Sequence, residues 1–148
     1  MNRLETNMRI APIALPLALT LAACAATAPS TPTASGRDMA VVHVTATYRE
    51  RILLPPGHVL TVRVEDVSLM DAPSRVMVEY STALDGRAPP YQATLSIPRS
   101  QIVANHTYAA RAEIRDAAGR LRFTTDTRHA VLTQGAPASA DIVMVGVR

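Results

Sequence analysis

The sequence predicts an all-β domain, an antiparallel β-sandwich of about seven strands, and three observations predict it. Between Asp38 and Arg148, short β-branched runs alternate apolar and polar residues. Turns rich in Pro and Gly interrupt these runs at short intervals, and no stretch repeats its apolar residues at helical spacing.

Ahead of that domain, Arg3 and Arg9 precede an uncharged run from Ile10 to Ala23. A positive lead followed by a short apolar run is the pattern of a secretory signal, and 14 residues are too few to cross a bilayer as a helix. Glu5 interrupts the positive lead, so Met8, followed directly by Arg9, makes the cleaner start. The run closes on Leu21-Ala22-Ala23-Cys24, which resembles the bacterial lipobox. Cys24 is the only cysteine, which excludes a disulfide framework or a multi-cysteine metal centre. The alternative, a buried or incidental free thiol, fits poorly directly after an apolar signal run. In signals of the lipobox kind the thiol takes a diacylglyceryl group, the peptide is cut before the cysteine, and the new amino group takes an acyl chain such as palmitate. Each buried methylene contributes about 0.8 kcal/mol, so several chains hold a protein on a membrane permanently. Ala25, rather than Asp, follows the cysteine, and the rule that goes with the resemblance then favours the periplasmic face of the outer membrane.

Residues 1–23 are therefore read as a lipoprotein signal peptide, 24–37 as the lipidated N-terminus with a flexible tether, and 38–148 as the β-sandwich. The tether, AATAPSTPTASGR after Cys24, holds Ala, Thr, Ser and Pro without apolar periodicity. Its 13 residues reach roughly 40 Å at about 3.3 Å each.

Within the domain the expected strands are residues 40–48, 59–67, 75–82, 91–97, 107–115, 121–127 and 141–147. Leu60, Val62 and Val64 alternate with Thr61, Arg63 and Glu65, and Tyr108, Ala110, Ala112 and Ile114 alternate with Ala109, Arg111 and Glu113, so one face turns inward and the other meets water. Leu54-Pro55-Pro56-Gly57, Asp71-Ala72-Pro73, Asp85-Gly86 and Ala88-Pro89-Pro90 fall between strands, and Asp116-Ala117-Ala118-Gly119 reads as a hairpin loop. Arg99 to Ala104 has room for one helical turn. Pro90 and Pro98 bracket the strand 91–97 in the way an edge strand is guarded against casual pairing. Tyr108, opening a strand six residues after Ile102, resembles the tyrosine corner of Greek-key sandwiches; the other reading is a half-buried aromatic at a strand start. Either supports a two-layer sandwich close to an immunoglobulin or transthyretin topology.

Signatures of catalysis are missing. His43, His58, His106 and His129 have no metal-ligand spacing, the six glycines are scattered singly, and no GxSxG elbow or catalytic-cysteine context occurs. No cofactor is expected and the chain is read as non-enzymatic. Glu65, Asp66, Asp71 and Asp126 come closest to a constellation, but Glu65 and Asp66 point to opposite faces of a regular strand unless a bulge intervenes, and pairing with nearby arginines is the favoured reading. All 15 basic residues are Arg, scattered along the chain; after removal of residues 1–23, 13 face 11 acidic residues. That balance lacks the basic patch that nucleic acid requires. A glycan-binding or small-molecule module is the alternative to protein binding, and five aromatic residues are few for carbohydrate stacking.

Tyr48-Arg49-Glu50-Arg51-Ile52, Leu54-Pro55-Pro56, Val62 to Ser68, Asp71-Ala72-Pro73, His106-Thr107-Tyr108, Phe123 to Thr127 and Val131-Leu132-Thr133 together resemble the YbaY-like lipoprotein family, across nearly the whole mature domain. That family is grouped with the YscW-type lipoprotein chaperones, or pilotins, of type III secretion. The resemblance implies a small β-sandwich lipoprotein and an envelope protein as partner; pilotins bind a segment of a secretin subunit and escort it to the outer membrane. It assigns no binding residue. The lipid-attachment reading predicts that Cys24→Ser leaves the protein uncleaved or soluble in the periplasm, as read by membrane fractionation; unchanged membrane association would refute it.

Overall fold

The computed structural model describes residues 38–148, and eight strands occur among them: β1 (Met39–Tyr48), β2 (Val59–Asp66), β3 (Arg75–Ala83), β4 (Tyr91–Pro98), β5 (Tyr108–Arg115), β6 (Leu121–Thr124), β7 (His129–Val131) and β8 (Ser139–Gly146). The signal peptide, Cys24 and the tether lie outside the described residues. A 3₁₀ turn, Arg99–Gln101, occupies the stretch where one helical turn is expected.

Seven strands coincide with the expected ones, most within a residue or two at each end. The exception is β6, which stops at Thr124; at Thr125 the backbone N–H still reaches the Ala112 carbonyl (3.0 Å), and the side chain supplies the rest of the pairing. The buried Thr125 hydroxyl accepts from the Ala112 N–H (2.8 Å) and donates to the Ala112 carbonyl (2.9 Å). The chain then leaves the sheet and returns as the three-residue β7, again on β5, too short for its alternation to be read in advance.

The ladder runs β3-β2-β5-β6-β8-β1-β4, with β7 also on β5. The fold is all-β, but two parts of the expected architecture are corrected. First, β1 and β8 run parallel, His43 beside Ser139 through Tyr48 beside Met144. Second, the strands form one continuous sheet, curled nearly into a barrel, rather than two separate layers of clear immunoglobulin or transthyretin type. A short junction, Phe123 beside Gly146 and Thr124 beside Val145, joins β6 to β8 and so links what would otherwise be two sheets. Alternation dictates which face of a strand is buried; it carries no information on which strand lies beside it.

Inward side chains form a single aliphatic core, including Val42 and Val44 of β1, Leu60, Val62 and Val64 of β2, Leu95 and Ile97 of β4, Ile114 of β5, and Ile142 and Met144 of β8. The Tyr48 ring stacks on Phe123 with centroids 4.6 Å apart and tilts against Tyr91 at 6.3 Å. Each of the three buried phenols also ties down a neighbouring connection. Tyr48 Oη donates to the Ile52 carbonyl (3.0 Å), Tyr91 Oη donates to the Arg87 carbonyl (2.9 Å), and Tyr108 Oη accepts from the Val103 N–H (2.9 Å). The last of these is the bond back across a corner expected of Tyr108. The β5–β6 hairpin closes over Asp116–Gly119, where Gly119 takes φ +78° and the Asp116 carboxylate accepts from the N–H groups of Ala118 and Arg120.

Removing the Tyr108 hydroxyl with Tyr108→Phe leaves the ring packed and the Val103 N–H without its partner. The expected loss is about 1 kcal/mol, or about 4 °C in Tm, measured by urea and thermal unfolding. Unchanged stability would mean that water replaces the phenol at no cost.

Candidate functional site

The residues that come closest to a catalytic or metal constellation are dispersed into structural roles. Glu65 is buried, at 5% exposure, although alternation turns it outward; a register shift between Val64 and Glu65 in the β2–β3 pairing accompanies this. Ser74 Oγ donates to its carboxylate (2.9 Å), and Arg63 and Arg111 lie 3.6 and 4.0 Å away. Arg63 also reaches Glu113 at 2.7 Å and Glu79 at 3.9 Å, so the outer face of β2, β3 and β5 carries a network of ion pairs, as expected for a solvated surface. Among the described residues no group of three or more His, Cys, Asp or Glu is placed to hold a metal ion. His58 Nδ1 meets the Pro55 carbonyl at 2.9 Å and His43 Nδ1 meets Thr94 Oγ1 at 3.3 Å, both structural contacts. Asp126 bonds its neighbour Thr127 and does not join Asp66.

Asp66, at the end of β2, instead organises the loops nearest the start of β1. Its Oδ1 accepts from Ser68 N (3.0 Å) and Ser68 Oγ (2.5 Å), and its Oδ2 lies 2.6 Å from His106 Nδ1. Ser68 Oγ in turn accepts from the Thr107 N–H (2.8 Å), and Thr133 Oγ1 donates to the His106 carbonyl (2.6 Å). Three connections, 67–74, 99–107 and 132–138, are thereby joined. Burial works to raise the Asp66 pKa, but the hydrogen bonds from Ser68 and His106 outweigh it and hold the carboxyl below its ordinary range.

Exposed apolar side chains stand at the Leu69–Met70 loop tip, at Ile52–Leu53 and on β3, and the sheet has two free edges. β4 is one edge, bracketed by Pro90 and Pro98 as expected. β3 is the other, with no proline in it. Directly opposed residues share a face, and Val78 opposes Val64, Tyr80 opposes Val62 and Thr82 opposes Leu60, all three partners fully buried. Val78, Tyr80 and Thr82 therefore face the interior, yet Tyr80 is 40% exposed because, among the described residues, no strand is hydrogen-bonded beyond β3. At one end of this seam the Leu84–Pro90 connection crosses to β4. Leu84 is buried beneath it, and Arg87 Nη2 donates to the Ala83 carbonyl at 2.7 Å. An open recess of about 240 Å³ remains there, lined by Tyr80, Thr82, Arg87, Pro90 and Tyr91 among others. Sequence reasoning missed β3 as an open edge; the available signal was Val76-Met77-Val78, three consecutive apolar residues that break the alternation.

The lowered Asp66 pKa fixes a pH dependence. In the unfolded chain the carboxyl titrates near 4, so the ionised form's contribution is complete above about pH 4 and is lost as pH falls through the lower folded value. Asp66→Asn is expected to cost about 1–3 kcal/mol at pH 7, and the gap from the parent protein should close below about pH 4 in Tm measured against pH. A gap constant from pH 7 to pH 2 would contradict this assignment.

Similarity to known proteins agrees with the geometry. Residues 37–144 match the family described as the type III secretion system lipoprotein chaperone (YscW). The chain is also similar to the uncharacterized lipoprotein YbaY of Escherichia coli K12, with 33% identity over 147 residues covering 90% of this chain and 76% of that protein. Among solved structures it is similar to an alternative pilotin from the type II secretion system of Vibrio cholerae, with a TM-score of 0.70 and 35% identity, over 74% of this chain and 98% of the other. With the match spanning the whole strand ladder from β1 to Met144 of β8, the chain belongs to the type III secretion system lipoprotein chaperone (YscW) family.

Proposed function

We propose that the protein is a lipoprotein of the outer membrane, anchored on its periplasmic face through Cys24, that chaperones an envelope protein by accepting a segment of it along the open edge of β3. A secretin subunit, bound in the pilotin manner, is the partner this reading names. The family is one of chaperones and not of enzymes. One observation carries the choice of site: interior-facing Val78 and Tyr80 sit on an edge strand with which, among the described residues, no further strand pairs. A partner strand added there pairs with the free backbone groups of β3 and lays its own apolar side chains over Tyr80. The guarded β4 edge directs the addition to β3. The alternative of a glycan module finds little to work with, since Tyr48, Tyr91, Tyr108 and Phe123 are buried and only Tyr80 offers a face.

Capture of partners from detergent-solubilised envelopes by the lipidated full-length protein tests this. Tyr80→Arg is expected to weaken retention of the captured envelope protein about 30-fold, the effect of losing an interface anchor, while Ser96→Arg on the outer face of β4 leaves it unchanged. Equal retention by both variants, or no envelope protein above background, would overturn the proposal.

A further inference from the structure

We propose that the loop tip Leu69–Met70 is a membrane-docking element, which seats on the same bilayer that holds the protein's own anchor. The proposal rests on the reading of Cys24 as the lipidated N-terminus. Met70 is 97% exposed and Leu69 71%, the two most exposed large apolar side chains among the described residues. They protrude from the β2–β3 connection and take no part in the Tyr80 recess, which lies at the far end of β3.

Their position relative to the chain's entry point identifies the occupant. The chain enters the domain at Met39, and the next residue, Ala40, lines an open recess of about 410 Å³ with Ile102, Leu132 and Gln134. Gln134 Nε2 donates to Thr107 Oγ1 (3.1 Å), and the Thr107 N–H donates to Ser68 Oγ (2.8 Å), the residue directly before Leu69. A short chain of contacts thus joins the entry point to the protruding tip. The opposite end of β1 leads instead to exposed Ile52 and Leu53, about 33 Å away along the ten-residue strand. A tether spanning residues 24–37 therefore starts from the bilayer and arrives at the end of the domain that carries Met70. It holds the tip at an effective concentration in the millimolar range, enough for a contact of two side chains to count.

The chemistry favours lipid over a protein partner. Two adjacent apolar side chains on a projecting turn offer too little area for a stable protein interface, but they suit insertion at the boundary of headgroups and acyl chains. Asp66 and Asp71 lie on either side of the tip and Arg75 follows at the start of β3, so the contact draws on apolar insertion and not on attraction to anionic lipid. The Asp66–Ser68–His106 bonds brace the base of the loop, so that insertion orders little that is not already ordered.

The test uses the lipidated full-length protein in vesicles of phosphatidylethanolamine and phosphatidylglycerol. Cys24, once acylated, leaves a thiol introduced by Met70→Cys or Ile52→Cys as the only one open to an environment-sensitive fluorophore. A lipid-borne quencher is expected to quench the label at position 70 about threefold more than at position 52, and Leu69→Asp in the Met70→Cys background is expected to remove the difference. Equal quenching at the two positions, in protein that floats with the vesicles, would overturn the docking proposal while leaving the anchor intact. Shielding of position 70 in native envelopes but not in protein-free vesicles would overturn it in favour of a protein partner. Failure to float, with Cys24 still reactive, would overturn the lipidation reading and the proposal with it.

Discussion

The fold depends on three buried phenols, each of which fills the core with its ring and fastens a loop with its hydroxyl. A domain with one Phe, no Trp and an interior of Val, Leu, Ile and Ala has few large side chains with which to set the path of its connections. Tyr48, Tyr91 and Tyr108 meet that need because a phenol is apolar along its ring and polar at its tip. Each tip is bonded to the backbone within five residues of its own position, so burial of the ring and placement of the loop come together. Burial pushes the Tyr91 phenol well above its ordinary pKa, so the hydroxyl stays a neutral donor to the Arg87 carbonyl throughout the physiological range.

Those anchors also allow the sheet to remain open. A closed barrel satisfies every edge, whereas this ladder ends at β3 and β4 and leaves the inner face of β3 partly in water. Without a closing strand, the Leu84–Pro90 connection stands in at one end: Leu84 plugs the interior, Arg87 bonds back to β3, and Tyr91 bonds back to Arg87. Along the rest of the β3 edge no described strand is hydrogen-bonded. Natural edge strands are usually blunted by proline, charge or a covering element, and β4 follows that practice while β3 carries exposed Val76 and Tyr80. An uncovered apolar edge is a liability for a free domain and an asset for one whose task is to take up a segment of another protein.

Most of the strand content was legible in the sequence, because alternation such as Leu60-Val62-Val64 directly reports burial on one face. The tyrosine corner was legible for a similar reason: the distance from Tyr108 back to the preceding turn is set locally along the chain. Neighbour relations were not. The parallel β1–β8 pair and the β6–β8 junction are choices between strands with equivalent patterns, and side-chain periodicity does not separate them. Glu65 shows a second limit, since a local register shift and a cluster of partners, Ser74, Arg63 and Arg111, allow a carboxylate to be buried where its position in the strand puts it outside. The candidate site was the least legible part. An edge is defined by a strand that is absent beside it, and Arg75 to Ala83 alone does not record that absence.

The two ends of the domain are secured by different chemistry. Where β1 ends, Tyr48, Tyr91 and Phe123 pack against one another and two phenols hold the adjoining connections. Where β1 begins, Tyr108 is joined by a polar cluster centred on Asp66, in which a carboxylate accepts from Ser68 and His106 and draws the 67–74 and 99–107 connections together. At the aromatic end burial keeps the Tyr91 phenol neutral, and the acid-sensitive group is Asp116 of the β5–β6 hairpin, where burial works to raise the carboxyl but hydrogen bonds from Arg120 and Ala118 outweigh it and hold it below its ordinary range. The Asp66 end depends on an ionised carboxylate, and acid removes that charge before it reaches anything in the aromatic cluster. Acid therefore loosens a polar connection at each end, the Asp66 cluster near Met39 and the Asp116 hairpin opposite, while the seam between β3 and β4 retains its Tyr91–Arg87 closure.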